Sequence, residues 1–228
     1  MAKKTSKRKT LNILDKNKKH SQFDYTEIFR HIRTNIEFST VDKDIKSICI
    51  TSSQANEAKT TLSINLAYIF ATKYNRVLLI DCDLRKNTLH KYMGLSNKHG
   101  LTDALLEYRQ TKKLNVEYFQ SVNDPSFAGT MAVLTSGIHI PNPSELLGSH
   151  VFKDYINELK KSFDFIIIDC APIGMISDAI PVGNAVDGTI FAISSQDTNK
   201  KDAANCVKLL GSVLTKAKSI SGSHYYYY

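Results

Sequence analysis

Two stretches of the chain, "RVLLIDCD" over residues 76–83 and "DFIIIDC" over 164–170, are apolar almost without interruption until an aspartate closes them. A strand with one wet face alternates in character, whereas a strand lacking that alternation is covered on both faces. "SICITSS" (47–53) and "GTIFAIS" (188–194) read the same way, and "AVLTS" (132–136) adds a shorter strand. Between them lie helical patterns: "YTEIFRHIRTNIEFS" with Ile28, Phe29, Ile32 and Ile36, "TTLSINLAYIFATKY" with Leu62, Leu66, Ile69 and Phe70, and the shorter "LTDALLEY". "NPSELLGSHVFKDYINELKKSF" reads as one helix opened by Pro143 and Ser144, and a last helix is expected over about residues 199–217. Alternating strands and helices, with strands covered on both sides, predict an α/β fold: a three-layer domain with a mostly parallel central sheet and helices on both faces.

Such sheets bind ligands beyond the carboxyl ends of their strands, so the residues closing each strand belong together. The first strand runs into "TSSQANEAKTT" (51–61), the second closes on Asp81, Asp83 and Arg85, and a later one on Asp169. Lys59 stands where a phosphate-loop lysine reaches the β- and γ-phosphates, and Thr60 where a hydroxyl binds Mg²⁺. The helix that starts there aims its unpaired N–H groups and the positive end of its dipole at the same point. An aspartate at the end of an apolar strand is the expected Mg²⁺-holding group, directly or through water, which fits Asp169. Asp81 or Asp83 would then orient or deprotonate an attacking hydroxyl, and Arg85 would pair with a phosphate or a carboxylate. Each piece alone is commonplace; their order on alternating elements points to a nucleotide site with Mg²⁺.

Charge and cysteines narrow the setting. Of a formal net charge of +8, residues 1–20 hold eight Lys/Arg against one Asp, which leaves the remainder near neutral. The basic segment is either a solvated arm or a means of attraction to an anionic membrane surface or acidic partner. The rest shows no basic stripe with interleaved aromatics, so nucleic acid is not an expected partner. Cys49, Cys82, Cys170 and Cys206 show no C-x-x-C spacing and read as reduced thiols, three of them in strands. No apolar run approaches the ~18–20 residues of a membrane span, and the first residues lack the apolar stretch of a secretory signal. A cytoplasmic location is therefore expected.

From about residue 25 onward the chain resembles the cytosolic tyrosine autokinases of capsule and exopolysaccharide synthesis in Gram-positive bacteria. "EIFRHIR" is similar to that family's E-x-x-R-x-x-R helix, "LLIDCDLRK" to its second Asp-x-Asp-x-Arg motif, and "IIIDCAP" to its Walker B strand. "LTSGIHIPNPSELLGS" looks like its Pro-Asn-Pro-x-Glu-Leu segment, and Tyr225, Tyr226, Tyr227 and Tyr228 like its terminal tyrosine cluster. The resemblance implies a P-loop NTPase-like kinase domain over 23–218, between a basic tail (1–22) and a tyrosine tail (219–228). It implies ATP-dependent phosphorylation of the tyrosines between subunits of a homo-oligomeric ring, with Glu27, Arg30 and Arg33 at the subunit contacts. Lys59, Asp81, Asp83 and Asp169 would be catalytic, and Ser53, Asn56, Glu57, Ala58, Lys59, Thr60, Thr61 and Arg85 would bind the nucleotide. Thr60, Asp81 and Asp169 would hold the metal. A transmembrane polysaccharide co-polymerase whose cytoplasmic tail activates the kinase, and a tyrosine phosphatase, are the implied partners, and they imply a peripheral location at the plasma membrane. Without the resemblance, the charged helix reads as a solvated face and the tyrosines as an incidental tail.

The chain departs from that family in three places. The family loop reads Thr-Ser-x-x-Pro-Gly-x-Gly-Lys-Ser/Thr-Thr; here Ala55, Asn56 and Ala58 replace the proline and both glycines. Glycine serves such loops by allowing φ > 0 and close backbone approach. Asn56 visits that region at modest cost, whereas Ala58 is expected to strain the turn or crowd the phosphates by roughly 1–3 kcal/mol. That weakens affinity about ten- to hundredfold. Walker B ends Asp-Cys-Ala-Pro rather than Asp-Thr/Ser-Pro-Pro, and the last segment reads as a helix where the family has a helix and a strand. Two alternatives remain: a non-catalytic or weakly active relative that assembles with the membrane partner, and a partition- or septum-type ATPase. The latter carries a signature lysine five residues before the loop lysine, where this chain has Gln54.

Overall fold

A computed structural model describes residues 25–39, 44–174, 178–195 and 208–217. The expected apolar stretches are strands: β1 (Ser47–Ser52), β2 (Arg76–Cys82), β4 (Thr130–Leu134), β5 (Phe165–Cys170) and β6 (Gly188–Ser194). A short β3 (Gln120–Val122) and β7 (Leu209–Thr215) complete a seven-stranded sheet in the order β3-β4-β2-β5-β1-β6-β7. Only β3 is antiparallel to its neighbour. β1 and β5 are buried at every position, as the absence of alternation requires.

Helices cover both faces. α1 (Tyr25–Phe38), α2 (Lys59–Ala71) and the short α3 (Leu89–Met93) enclose one core, built on Ile48, Ile50, Val77, Leu79 and Ile167 from the strands. α4 (Leu101–Thr111), α5 (Pro143–Leu147), α6 (His150–Ser162) and α7 (Ala179–Ala185) lie over the other core, with Leu78, Ile80 and Ile168. α2 is buried nearly all round because α1 packs on its outer side. α6 keeps a wet face and buries Phe152, Tyr155, Ile156 and Leu159, each contributing about 1.5–3 kcal/mol by leaving water.

Two sequence expectations are corrected. The single helix over 142–163 is two, because Gly148 ends α5 and the Ser149 hydroxyl caps α6 by accepting from the Phe152 N–H at 3.2 Å. The last helix does not extend to 217, since Leu209–Thr215 is strand β7, paired in parallel with β6. The spacing of Leu210, Val213 and Leu214 suits a helix, but pairing with β6 outweighs local preference, and Gly211 is a poor helix residue. Residues 199–207, the basic segment 1–22 and Tyr225–Tyr228 lie outside the described residues.

Candidate active site

Every residue between β1 and α2 belongs to a turn whose backbone passes twice through the left-handed region. Asn56 has φ 66° and Ala58 has φ 63°, the conformations that glycine would adopt without cost. The turn is fastened from three sides. Ser52 and Ser53 carbonyls accept from the N–H groups of Ile173 (2.8 Å) and Gly174 (3.1 Å), just beyond β5. Within the turn, the Glu57 carboxylate accepts from the Gln54 N–H at 2.8 Å and the Ser52 hydroxyl donates to the Gln54 carbonyl at 2.7 Å. From the far edge, the Thr215 hydroxyl donates to the Glu57 carbonyl at 2.9 Å. Ala58 then opens α2 with no side-chain cap, so the first N–H groups of a 13-residue helix are left to meet an anion.

The carboxylates come from the sheet register. Asp81 on β2 pairs directly with Asp169 on β5, and Cys82 with Cys170. Strand alternation turns both aspartates toward the α2 side and both thiols toward the other core. Lys59 Nζ sits 3.1 Å from Asp83 Oδ2, with both side chains buried. Thr60 Oγ1 donates to Asp169 Oδ2 at 2.6 Å. Ser63, one turn further along α2, places its hydroxyl 3.0 Å from Asp169 Oδ1 and 2.9 Å from the Lys59 carbonyl, and its one proton serves either. Asp81 Oδ1 accepts from the Asp83 N–H at 3.1 Å, while its buried Oδ2 has no hydrogen-bond partner among the described residues.

Three carboxylates and one ammonium in a buried site shift one another. Burial pushes Asp169 up to about 6, against the opposing pull of Lys59, Thr60 and Ser63. Burial, followed by Asp169 and Asp83, raises Asp81 well above the ordinary carboxylate range. Burial disfavours the Lys59 ammonium, yet Asp169 and Asp83 outweigh it and hold its pKa above the usual lysine value. Lys59 therefore keeps its positive charge beside the carboxylates.

A cleft opens between the loop and the segment after β2. Lys59, Thr60 and Asn56 form one side; Asp83, Lys86 and Tyr92 form the other. Thr61 also lines it, while Ser53 and Glu57 are buried beneath. Arg85 lies outside the set of residues that line this cleft. Its guanidinium donates to both oxygens of buried Asp178 (2.7 and 3.3 Å) and to Ser144 Oγ at 3.3 Å, and Ser144 also donates to Asp178. Burial would raise Asp178, but these hydrogen bonds hold it below the usual carboxylate value. On α1, Glu27 and Arg30 pair with each other on the exposed face. Arg33 turns inward, donating to the Ile69 carbonyl at 2.8 Å and standing 3.3 Å from Thr72 Oγ1.

Sequence reasoning missed Ser63, Lys86, Tyr92 and Asp178. Helical spacing alone places Ser63 one turn after Thr60 on the same face, so that signal was available. Asp178 meets Arg85 across 93 residues of chain, and no local pattern announces such a pairing.

A family model described as an AAA domain matches residues 45–205. The tyrosine-protein kinase YwqD of Bacillus subtilis is 41% identical over 211 residues, covering 89% of this chain and 86% of that protein. The putative tyrosine-protein kinase CapB of Staphylococcus aureus is 35% identical over 236 residues, covering 100% of this chain and 98% of that one. Among solved structures, the kinase domain of the Escherichia coli tyrosine kinase ETK superposes with a TM-score of 0.73 at 26% identity, covering 94% of this chain and 91% of that domain.

Proposed function

The chain belongs to the family of bacterial tyrosine-protein kinases, and we propose that it moves the γ-phosphoryl group of ATP onto its own C-terminal tyrosines, Tyr225–Tyr228, in control of capsular or exopolysaccharide synthesis. The observation that carries this reading is the clasp at the start of α2. Lys59 is held by Asp83, and Thr60 by Asp169, beside an Asp81 oxygen that has no hydrogen-bond partner among the described residues.

Lys59 and the N–H groups that open α2 would receive the β- and γ-phosphates. Thr60, Asp169 and Asp81 offer a hydroxyl and carboxylate oxygens, the hard donors that Mg²⁺ takes, and the unpartnered Asp81 Oδ2 fits such a group. Mg²⁺, when bound, supplies neutralisation of charge on the transferring phosphoryl. In the transfer a tyrosine oxygen forms a bond to the γ-phosphorus, the bond to the β,γ-bridging oxygen breaks, and ADP leaves. The phenol, with an ordinary pKa of ~10, must lose its proton on the way. Asp83 already spends both oxygens, one on Lys59 and one on the Lys86 N–H at 2.9 Å. Asp81 is the remaining carboxylate of the site and would take that proton on the oxygen not given to Mg²⁺.

The tyrosines would be presented between subunits of a ring, with exposed Glu27 and Arg30 meeting a neighbour and Arg33 bracing α1 on α2. Among the described residues no helix is long and apolar enough to cross a membrane. Attachment to the plasma membrane would come through a transmembrane co-polymerase whose cytoplasmic tail activates the kinase, with a tyrosine phosphatase reversing the modification. A weakly active regulatory relative is the second reading, favoured by the two left-handed residues that replace glycine in the loop.

Incubation with Mg-ATP, with and without the adaptor's tail, followed by an anti-phosphotyrosine blot, tests this. Signal that disappears in Lys59→Met and in the variant with all four terminal tyrosines changed to Phe is the expected result. No signal in either lane, with ATP still bound, leaves only the regulatory relative.

A further inference from the structure

Glu57 sits between the two left-handed residues of the phosphate loop and is almost wholly buried, at 1% exposure. Both of its ends are engaged. Its carboxylate reaches back to the Gln54 N–H, closing the front of the turn. Its carbonyl accepts from Thr215, 158 residues further along the chain. The Thr215 hydroxyl has one proton, and the Glu57 oxygen at 2.9 Å is a nearer acceptor than the Ile193 carbonyl at 3.2 Å. Thr215 is itself fixed as the last residue of β7: it pairs with Ser194, and its carbonyl receives the Ser195 N–H at 3.0 Å. A side chain from the edge of the sheet thus holds the loop at the residue between its two strained positions.

We propose that Thr215 and Glu57 are positioning residues that keep the glycine-free loop in its phosphate-binding shape, so that the outermost strand sets nucleotide affinity. The reasoning rests on the nucleotide-site reading above. An alanine at φ 63° relaxes toward negative φ whenever the backbone is free to do so. Glycine would have no such tendency, and a loop built with it would need no brace at this point. Here the brace replaces the freedom that glycine confers. Without it the loop settles into an unstrained shape, and nucleotide binding must then drive the backbone back. The tether is a neutral hydrogen bond made inside the protein, and losing it should weaken affinity roughly two- to tenfold.

Titration of the full chain with a fluorescent ATP analogue in Mg²⁺ tests this without requiring kinase activity. Thr215→Val keeps the shape of the side chain and removes the donor; it should weaken binding about two- to tenfold, and Thr215→Ser should restore most of it. Glu57→Ala should weaken binding in the same range, while Glu57→Gln, which still offers an oxygen to Gln54, should recover most of the loss. The decisive comparison places Thr215→Val on an Ala58→Gly background. Because glycine removes the tendency to relax, the loss caused by valine should shrink to less than about twofold. An equal loss on both backgrounds would mean that Thr215 acts independently of the loop's strain, and would overturn the proposal. So would a Thr215→Val protein that binds like its parent. If Thr215→Val does not fold, the Glu57 pair decides by the same criterion. A parent chain that binds no nucleotide overturns the nucleotide-site reading and this inference together.

Discussion

Replacing Ala58 by glycine asks where the strain of the phosphate loop is carried. Ala58 holds φ 63° and ψ 19° in the folded chain. An L-residue in that region costs roughly 1–2 kcal/mol, because its Cβ approaches the following carbonyl oxygen. Hydrogen bonds from Ile173, Gly174 and Thr215 fix the loop as part of the fold, so that cost falls on the folded protein rather than on the binding step. Glycine removes it but gains about 0.4–1 kcal/mol of unfolded-chain freedom, so the net effect is about 0.5–1 kcal/mol of added stability. For a chain of this length that is a rise in melting temperature of about 1–4 °C. Because little strain is left for the nucleotide to overcome, affinity for Mg-ATP should change by less than about threefold. Thermal unfolding followed by circular dichroism, together with titration of a fluorescent ATP analogue, gives both numbers. A gain in affinity above tenfold with an unchanged melting temperature would refute the reasoning. It would mean that the loop relaxes when empty, or that the Ala58 methyl itself obstructs the phosphates.

Two further predictions concern Asp169. Its pKa in the folded chain is raised from 3.8 to about 6, so the folded state holds that proton more tightly than the unfolded state does. Its contribution to stability is complete below about pH 4 and is lost as pH rises through about 6, a difference on the order of 3 kcal/mol. Asp169→Asn should therefore flatten the dependence of the melting temperature on pH between 4 and 7, and match or exceed the parent's melting temperature at pH 7.5. Parallel profiles for the two proteins would contradict the assignment. Ser63→Ala removes a hydrogen bond to the Asp169 carboxylate, which should raise that pKa further. Its Mg-ATP affinity should fall about two- to fivefold at pH 7, and further at pH 6, as measured by titration at the two pH values. A loss that is the same at both would locate the effect elsewhere.

What could be read before folding followed the strength of local signals. Uninterrupted apolar runs over residues 77–80 and 165–168, each closed by an aspartate, were legible as buried parallel strands. Their aspartates then had to lie along one edge, and Lys59, Thr60 and Asp169 do meet there. β7 was illegible because it lies at the edge of the described sheet, with three of its seven positions exposed and none buried; its leucines repeat no two-residue period. The break between α5 and α6 was written in Gly148 and Ser149, a helix stop followed by a cap, but the flanking apolar residues masked it. Arg85 was legible as a cation seeking an anion, though its partner, Asp178, sits far away in sequence. Arg33 faces α2 because the Ile69 carbonyl in that helix's last turn accepts from its guanidinium.

The pairing of Asp81 with Asp169 across two central strands has a consequence for how chains of this design diverge. Neighbouring strands lie about 4.8 Å apart whatever their side chains, so the gap between these two strand ends works as a ruler that no loop can lengthen. Shifting one strand by a single residue would carry its carboxylate to the opposite face of the sheet, so intermediate spacings are not on offer. Variation in what is phosphorylated, how fast and under whose control is thereby confined to the segments that surround the ruler: the loop before α2, the stretch after β2 and the edge held by Thr215.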